Sequence, residues 1–187
     1  MTCIVGIVDD FGSVFMGGDS AACGDCSIQT IKDGKVFQKE NFLFGIAGNP
    51  RLYAILKYNF DLPMDDYDNP LLYLNSYFVP ALRECLADNG FLEIKDEIES
   101  TPETWVLMGY KGRLFMLDSS FFVSEYDQPF ASIGCGSDIA LGCMYLMEKI
   151  RGDGLMPEAK IELALGASEE FNCHVRRPFT ILKLEEK

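Results

Sequence analysis

The sequence has only one histidine, His174, among its 187 residues. A zinc site needs about four ligands, and the C-x-x-C pair Cys23 and Cys26 has neither a second pair nor a nearby histidine to complete such a set. We therefore interpret the pair as two small residues in a loop and expect neither a metal nor a cofactor. His174 is interpreted as a packed or surface residue and not as a catalytic base.

Basic residues and long hydrophobic runs are also scarce. Lys and Arg total 16 against 29 Asp and Glu, which gives a formal net charge of −13. Such a surface repels phosphate backbones, so we expect no nucleic-acid partner. No apolar run approaches the ~18–20 residues that cross a bilayer, and the first ten residues lack the basic region of a secretory signal. We expect a cytoplasmic protein with no membrane partner.

Seven cysteines, an odd number with mostly apolar neighbours, argue against a disulfide framework and for reduced thiols. The chain is 48% hydrophobic and 24% charged, which is ordinary globular composition. A length of 187 residues suits one domain. We therefore predict a single domain over residues 1–187.

Hydrophobic patterning predicts blocks of strands that alternate with pairs of helices. The predicted strands cover residues 3–8, 13–18, 28–31, 35–38, 42–47, 105–108, 114–118, 121–124, 130–133 and 179–184. Turn signals stand at Asp33-Gly34 and Lys111-Gly112. Because strands and helices come in separate runs, the pattern favours an α+β layered fold over an alternating βαβ sheet.

Two asparagine-proline pairs mark the starts of the first two predicted helices. Asn49-Pro50 precedes a helix through residue 58, and Asn69-Pro70 precedes a helix over 71–87 that ends at Asn89-Gly90. Two later helices are predicted, one over 139–150 capped by Ser137 and one from Pro157 through 165 or beyond.

Thr2 is the clearest candidate for a catalytic residue. Removal of Met1 would expose a free α-amine beside the threonine hydroxyl. Since an α-amine has a pKa near ~7.7–8.0, it can accept the hydroxyl proton at neutral pH. One residue would then supply both nucleophile and base. Cys3, exposed by loss of two residues, is a weaker alternative nucleophile.

An ordered set of short motifs accompanies Thr2. The chain starts Thr2-Cys3-Ile4-Val5-Gly6, its second strand ends Gly17-Gly18-Asp19-Ser20, and lysines follow at Lys32 and Lys35. Phe44-Gly45-Ile46-Ala47-Gly48 comes next, and Gly134-Cys135-Gly136 comes late. This set resembles the β-type subunits of the proteasome and, more closely, the bacterial HslV protease. The resemblance runs the length of the chain and implies a four-layer αββα sandwich of the N-terminal-nucleophile (Ntn) hydrolases.

The resemblance also implies roles for individual residues. Thr2 matches the nucleophile, Asp19 the aspartate that orients the active-site lysine, and Gly48 the backbone N–H that stabilises the oxyanion. Lys35 is the better match to that lysine, with Lys32 as the competing alignment. A cation near Thr2 favours the deprotonated hydroxyl and amine.

Three positions depart from the family pattern. Cys135 stands where a serine usually supports the terminal amine, and a thiol is a weaker hydrogen-bond partner. Glu170 aligns with a family aspartate near the active site, and Asn49 replaces a second glycine. These departures are compatible with a divergent enzyme and with a lost activity.

Three functional hypotheses follow from the resemblance. The first is a threonine peptidase that cleaves unfolded polypeptides inside a homo-oligomer, possibly a ring served by an ATP-dependent unfoldase. Ala22, Ile46 and Pro50 fall near the family's first specificity pocket, which implies apolar residues before the cut. The second is a catalytically inactive assembly protein, and the third is an Ntn amidase that acts on a small amide.

Overall fold

The computed structural model describes residues 2–24, 27–32, 34–95, 98–150 and 154–185. Met1 and Cys26 of the C-x-x-C pair lie outside the described residues. The strands are β1 (Cys3–Val8), β2 (Val14–Gly18), β3 (Ala21–Cys23), β4 (Ile28–Thr30), β5 (Val36–Lys39), β6 (Phe42–Gly48), β7 (Glu93–Lys95), β8 (Ile98–Ser100), β9 (Thr104–Tyr110), β10 (Arg113–Leu117), β11 (Val123–Glu125), β12 (Phe130–Gly134) and β13 (Thr180–Leu184).

The strands form two antiparallel sheets and two ribbons. One sheet has the order β12-β1-β2-β13 and the other β11-β10-β9-β6-β5. The ribbons are β3-β4 and β7-β8. Within the first sheet Cys3 pairs with Gly134 and Ile4 pairs with Gly18, so the beginning of β1 lies between the ends of β12 and β2.

The two sheets pack face to face, and each is covered by helices on its outer side. The helices are α1 (Pro50–Ala54), α2 (Pro70–Tyr73), α3 (Val79–Asp88), α4 (Ser137–Lys149) and α5 (Pro157–Phe171). Because side chains alternate along a strand, Phe44 and Ile46 of β6 pack in a cluster with Leu52 and Phe78, whereas Leu43 packs between the sheets.

A third cluster completes the layering, with Val5 and Phe15 of the first sheet packed against Met144 and Ile161 of α4 and α5. The chain is therefore a four-layer αββα sandwich, as predicted. The sheets approach closely at Gly45, where an added Cβ would lie 2.5 Å from Ile4.

Both early helices start as predicted and then depart from regular α-helix. The side chains of Asn49 and Asn69 accept backbone N–H bonds at the two helix starts. The expected continuous helices are interrupted by π-helical turns at Ile55–Asn59 and Leu74–Phe78. The second interruption has a local cause, because Pro80 has no N–H to donate to the preceding turn.

Other differences from the predictions are local. Gly136 and not Ser137 is the N-cap of α4, and no side-chain hydrogen bond caps that helix. Strand β4 pairs with β3 and β5 pairs with β6. Asp33 of the predicted Asp33-Gly34 turn lies outside the described residues. The short strands β3, β7 and β8 were not predicted, because three residues carry too little periodicity to stand out.

Candidate active site

Thr2 lies immediately before β1, at the end of the first sheet. Its backbone nitrogen contacts the Sγ of Cys135 at 3.2 Å. The Cys135 thiol also lies 3.3 Å from the carbonyl oxygen of Thr2, and the N–H of Gly136 donates to the same oxygen at 3.3 Å. Thr2 is therefore held from one side by the loop that follows β12.

The glycines on either side of Cys135 allow this close approach. Gly134 has a φ of +96°, and an added Cβ there would lie 2.3 Å from the carbonyl oxygen of Thr2. An added Cβ at Gly136 would lie 2.8 Å from the Cβ of Cys3. Side chains at these two positions would displace Thr2, so the Gly-Cys-Gly sequence fits the contact between the loop and Thr2.

Asp19 stands on the other side of Thr2 and is fully buried. One carboxylate oxygen accepts the N–H of Cys3 at 2.9 Å, and the other accepts the N–H of Ala21 at 2.9 Å. The Nζ of Lys35 lies 2.9 and 3.0 Å from the two oxygens. Asp19 thus connects the Lys35 cation to the backbone of the residue that follows Thr2.

The structure distinguishes the two candidate lysines. Lys35 is largely buried, with 11% of its side chain exposed, and it directly precedes β5. Its carbonyl accepts the N–H of Ile46 at 3.0 Å, which ties its backbone to β6. Lys32 is exposed. The Asp19 contact therefore agrees with the Lys35 alignment over Lys32.

Gly48 ends β6 and is exposed. It has a φ of +114°, and an added Cβ would lie 2.2 Å from the carbonyl oxygen of Glu103. Only glycine fits this backbone conformation without strain. The oxyanion role of Gly48 stays a prediction.

Cys3, the alternative nucleophile, is unsuited to attack. Its side chain is fully buried, and burial raises the pKa of its thiol to about 11. Since the thiolate is the reactive form, Cys3 is a packed thiol at neutral pH. Its Sγ lies 3.6 Å from the hydroxyl of Ser168.

Glu170 lies near the end of α5 with an exposed side chain, and the described contacts of Cys135 from this helix end come from Asn172 instead. The Nδ2 of Asn172 donates to the Cys135 carbonyl at 2.7 Å. Sequence reasoning missed Asn172, although an asparagine directly after a helix is a recognisable signal of a side chain that bonds to backbone.

The segment after α5 closes the site by further contacts with its backbone. The N–H of Arg176 donates to Asp19 at 3.4 Å, and its carbonyl accepts the N–H of Ser20 at 2.9 Å. The hydroxyl of Ser20 donates to the carbonyl of Pro178. Residues 172–178, which we call the α5 strap, therefore contact both the Cys135 loop and the Asp19 turn.

Of the three residues expected near the specificity pocket, one is buried and two are exposed. Ile46 is 5% exposed and belongs to the core beneath α1, whereas Ala22 and Pro50 are exposed. A separate groove of about 1160 Å³, lined in part by Val14, Lys111 and Leu184, lies at the opposite end of the sheets. Thr2 does not line that groove.

Within the part of the chain that the structure describes, no three His, Cys, Asp or Glu side chains are grouped so as to hold a metal ion. In the same residues, no helix combines the length and apolar character needed to cross a membrane.

No protein-family model matches the sequence, and no curated protein matches it. BPH from Thiobacillus denitrificans, solved in complex with epoxomicin, superposes with a TM-score of 0.81 at 22% identity, covering 98% of this chain and 99% of that one. The chain has the HslV/proteasome-like Ntn-hydrolase fold. Eukaryotic HslV from Trypanosoma brucei gives a TM-score of 0.69 at 14% identity, covering 98% of this chain and 99% of that one.

The Gly-1 mutant of Anbu from Hyphomicrobium sp. strain MC1 has the same architecture, with a TM-score of 0.66 at 20% identity over 99% of this chain and 82% of that one. The HslV-like fold predicted from the sequence motifs is thus confirmed. At these identities the likeness shows the fold.

Proposed function

We propose that this protein is a threonine-type peptidase whose nucleophile is the hydroxyl of Thr2. The observation that carries the proposal is the placement of Thr2 between two polar groups that suit an N-terminal nucleophile. Its nitrogen contacts the Cys135 thiol at 3.2 Å, and the next backbone N–H donates to the buried Asp19–Lys35 pair at 2.9 Å.

In the proposed reaction the free α-amine of Thr2 takes the hydroxyl proton, directly or through a water, as the oxygen attacks a peptide carbonyl. A C–O bond forms, the N–H of Gly48 stabilises the oxyanion, and the C–N bond breaks as the leaving amine takes the proton. Water then hydrolyses the ester and restores Thr2. The positive charge of Lys35 favours the deprotonated forms of the hydroxyl and amine.

The reaction requires that the nitrogen of Thr2 be a free amine, so Met1 has to be removed. Thr2 is only 4% exposed in this structure. The exposure of Thr2 therefore has to increase before a substrate carbonyl can reach its hydroxyl. Loss of Met1 would supply the free amine.

For the substrate we propose an unfolded polypeptide with an apolar residue before the cut, since exposed Ala22 and Pro50 offer apolar surface. We also propose a homo-oligomer, because Tyr145, Leu146 and Phe171 on α4 and α5 are 57%, 59% and 78% exposed. A ring with an ATP-dependent unfoldase extends this proposal by analogy with the fold.

The low exposure of Thr2 also favours the second hypothesis, a catalytically inactive assembly protein with the same fold. Intact mass spectrometry of the purified native protein separates the two. The peptidase proposal expects loss of Met1 and a mass increase equal to one epoxomicin after incubation. Epoxomicin is a suitable probe because the BPH of T. denitrificans was solved in complex with it.

The matched control is Thr2→Ala, which keeps the fold and removes the nucleophile. It should lose Met1 in the same way but take up no epoxomicin. Retention of Met1 in the working protein, or equal labelling of the Thr2→Ala variant, would overturn the peptidase proposal. Activity on a small amide by a monomer, without peptide cleavage, would favour an Ntn amidase instead.

A further inference from the structure

Trp105, the only tryptophan of the chain, is the one exposed residue of β9. Its side chain is 40% exposed, whereas every other residue of the strand is buried. An indole offers a large apolar surface, and tryptophan is enriched where proteins bind partners. A single exposed apolar residue is ordinary on its own, so its meaning depends on the surface that it occupies.

The strand register puts Trp105 on the inner face of its sheet. Trp105 pairs with Ala47, and residues that pair directly in antiparallel strands point to the same face. Ala47 packs between the two sheets, and so does Leu107, which lies two residues further along β9. The indole therefore lies at the end of the space between the sheets, where β9 begins.

Thr2 lies at the same end of that space. Ile4 of β1 meets β6 at Gly45, where an added Cβ would lie 2.5 Å from the Ile4 side chain. Two residues further toward the site, β1 is preceded by Thr2 and β6 reaches Ala47, so these two residues lie at the same level of the sandwich. Because Trp105 opposes Ala47 in the next strand, their Cβ atoms are expected about 4.5–5.5 Å apart. The indole is thus one strand away from the residue that lies across from Thr2.

Trp105 and Ala22 lie on opposite sides of Thr2. In the first sheet, β1 lies between β12 and β2. Exposed Ala22 belongs to β3, which follows the end of β2, whereas β9 packs mainly across from β12. A polypeptide that crosses Thr2 with the residue before the cut on the Ala22 side therefore has the residue after the cut on the Trp105 side.

We propose that Trp105 binds the side chain of the residue that follows the cut and selects substrates in which this side chain is apolar or aromatic. The inference rests on the proposed peptidase function and extends its substrate preference to the leaving-group side. A flat ring or an aliphatic chain can pack on the indole and cover its exposed surface. Glycine has no side chain for this contact, and a carboxylate would lose hydration there.

Intrinsic fluorescence reports on Trp105 without a label, because the chain has no second tryptophan. The binding measurement uses Thr2→Ala, which lacks the nucleophile, so that peptides bind without being cleaved. Two peptides are compared that differ only in the residue after a central leucine, which is phenylalanine in one and glycine in the other. We expect a saturable change in emission and an affinity about fivefold higher for the phenylalanine peptide, as for one aromatic contact.

Cleavage of the same two peptides measures the preference in the active protein. In wild type kcat/KM should be about fivefold higher for the phenylalanine peptide than for the glycine peptide. This ratio should fall to near one in Trp105→Ala and be restored in Trp105→Phe, which keeps an aromatic ring. Phe11→Ala is the matched control and should keep the wild-type ratio, since Phe11 is 87% exposed beyond the far end of β1 from Thr2. Thermal midpoints show whether the variants fold.

The two measurements separate the role of Trp105 from the peptidase proposal. If wild type takes up no epoxomicin and cleaves neither peptide, the peptidase proposal fails, and the emission of Trp105 still tests peptide binding. Emission that responds to neither peptide would overturn the role of Trp105. Emission that changes with protein concentration alone would assign Trp105 to a contact between copies of the chain and would overturn it as well. A folded Trp105→Ala variant that keeps the wild-type ratio, or equal kcat/KM for both peptides in wild type, would have the same consequence.

Discussion

Lys35 and Asp19 form a largely buried ion pair, with the Nζ of Lys35 2.9 and 3.0 Å from the two carboxylate oxygens. Asp19 has no exposed surface, and its oxygens also accept the backbone N–H groups of Cys3 and Ala21. Burying a charge is costly unless it is paired and hydrogen-bonded, and this carboxylate meets both conditions. Through Asp19 the positive charge of Lys35 is held near Thr2.

Lys35→Met should therefore destabilise the protein strongly and also reduce epoxomicin labelling. The substitution leaves the buried Asp19 carboxylate without its cation, and such a loss costs about 3–5 kcal/mol. Urea unfolding followed by circular dichroism measures the change. Lys32→Met is the control, since Lys32 is exposed and surface substitutions usually stay within about 0.5 kcal/mol.

A double variant separates the charge effect from general damage. Asp19→Asn combined with Lys35→Met removes both charges and should recover part of the lost unfolding free energy, although labelling should stay low without the cation. If Lys35→Met and Lys32→Met were equally stable, the pair would have no structural role. If the double variant were labelled as fast as wild type, the pair would have no role in the reaction.

Much of this arrangement could be predicted, because the information is local. The Gly18-Asp19 end of β2, the lysine before β5 and the glycine that ends β6 each stand at the edge of an element with clear alternation. The family resemblance assigned Asp19, Lys35 and Gly48 from these local motifs. The Asp19–Lys35 contact is present in the structure, whereas the catalytic roles of the three residues stay predictions. The N-caps Asn49 and Asn69 were found for the same reason.

The Asn172 contact could not be predicted in this way. Its partner Cys135 lies 37 positions earlier, and the bond exists only because α5 returns its carboxyl end to the loop after β12. Glu170 matches the family aspartate in being acidic. The direction in which its side chain points, however, is decided by the helix rotation of about 100° per residue, so a match of residue type does not place the side chain at the site. Glu170 is exposed, whereas Ser168 faces the core.

Exchanging the Cys135 thiol tests the group that contacts the Thr2 nitrogen. Cys135→Ser should keep or raise the rate of epoxomicin labelling, because a hydroxyl is a stronger hydrogen-bond partner than a thiol. Cys135→Ala should lower the rate by about tenfold, since the nitrogen loses its contact with the Cys135 thiol. Cys173→Ala is the control for removal of an exposed thiol. Equal rates for the alanine and serine variants would contradict this role.

Gly48→Ala should destabilise the protein and distort the end of β6. The φ of +114° is unfavourable for any residue with a Cβ, and the new atom would lie 2.2 Å from the Glu103 carbonyl oxygen. Backbone strain of this kind costs about 1–3 kcal/mol before the clash is counted. Thermal unfolding measures the loss.

The control for Gly48→Ala is Gly142→Ala in α4, where an added Cβ meets nothing within 4 Å. It should stabilise the protein by about 0.5–1 kcal/mol, because alanine favours a helix over glycine. A stable, fully labelled Gly48→Ala variant would show that β6 tolerates a different end conformation.

Far from Thr2, Asp65 connects the loop before α2 to the β9–β10 turn and should make stability depend on pH. The Tyr110 hydroxyl donates to one carboxylate oxygen of Asp65, and the Lys111 Nζ lies 3.1 Å from the carboxylate. Burial alone would raise the pKa of Asp65, but the hydrogen bonds from Tyr110 and Lys111 outweigh it and lower that pKa.

A carboxyl group whose pKa is lower in the folded state stabilises that state above its unfolded pKa, near 3.9. This contribution is lost as the pH falls through the folded value. Tyr110→Phe should therefore cost about 1.5–3 kcal/mol at pH 7, as expected for a hydrogen bond to a charged group. The difference from wild type should begin to narrow as the pH falls below the unfolded value near 3.9, and it should be lost as the pH passes through the lowered pKa of Asp65 in the folded state.

Urea unfolding between pH 7 and pH 3 measures this difference, and Tyr126→Phe is the matched control. The Tyr126 hydroxyl contacts the Met116 sulfur, which does not titrate, so its small cost should not change with pH. A Tyr110→Phe deficit that stayed constant down to pH 3 would show that the tyrosine acts through packing in the aromatic cluster with Phe42 and Tyr73. The hydrogen bond from Tyr110 to Asp65 would then contribute little to stability, because that bond weakens when Asp65 is protonated, whereas packing contacts do not change with pH.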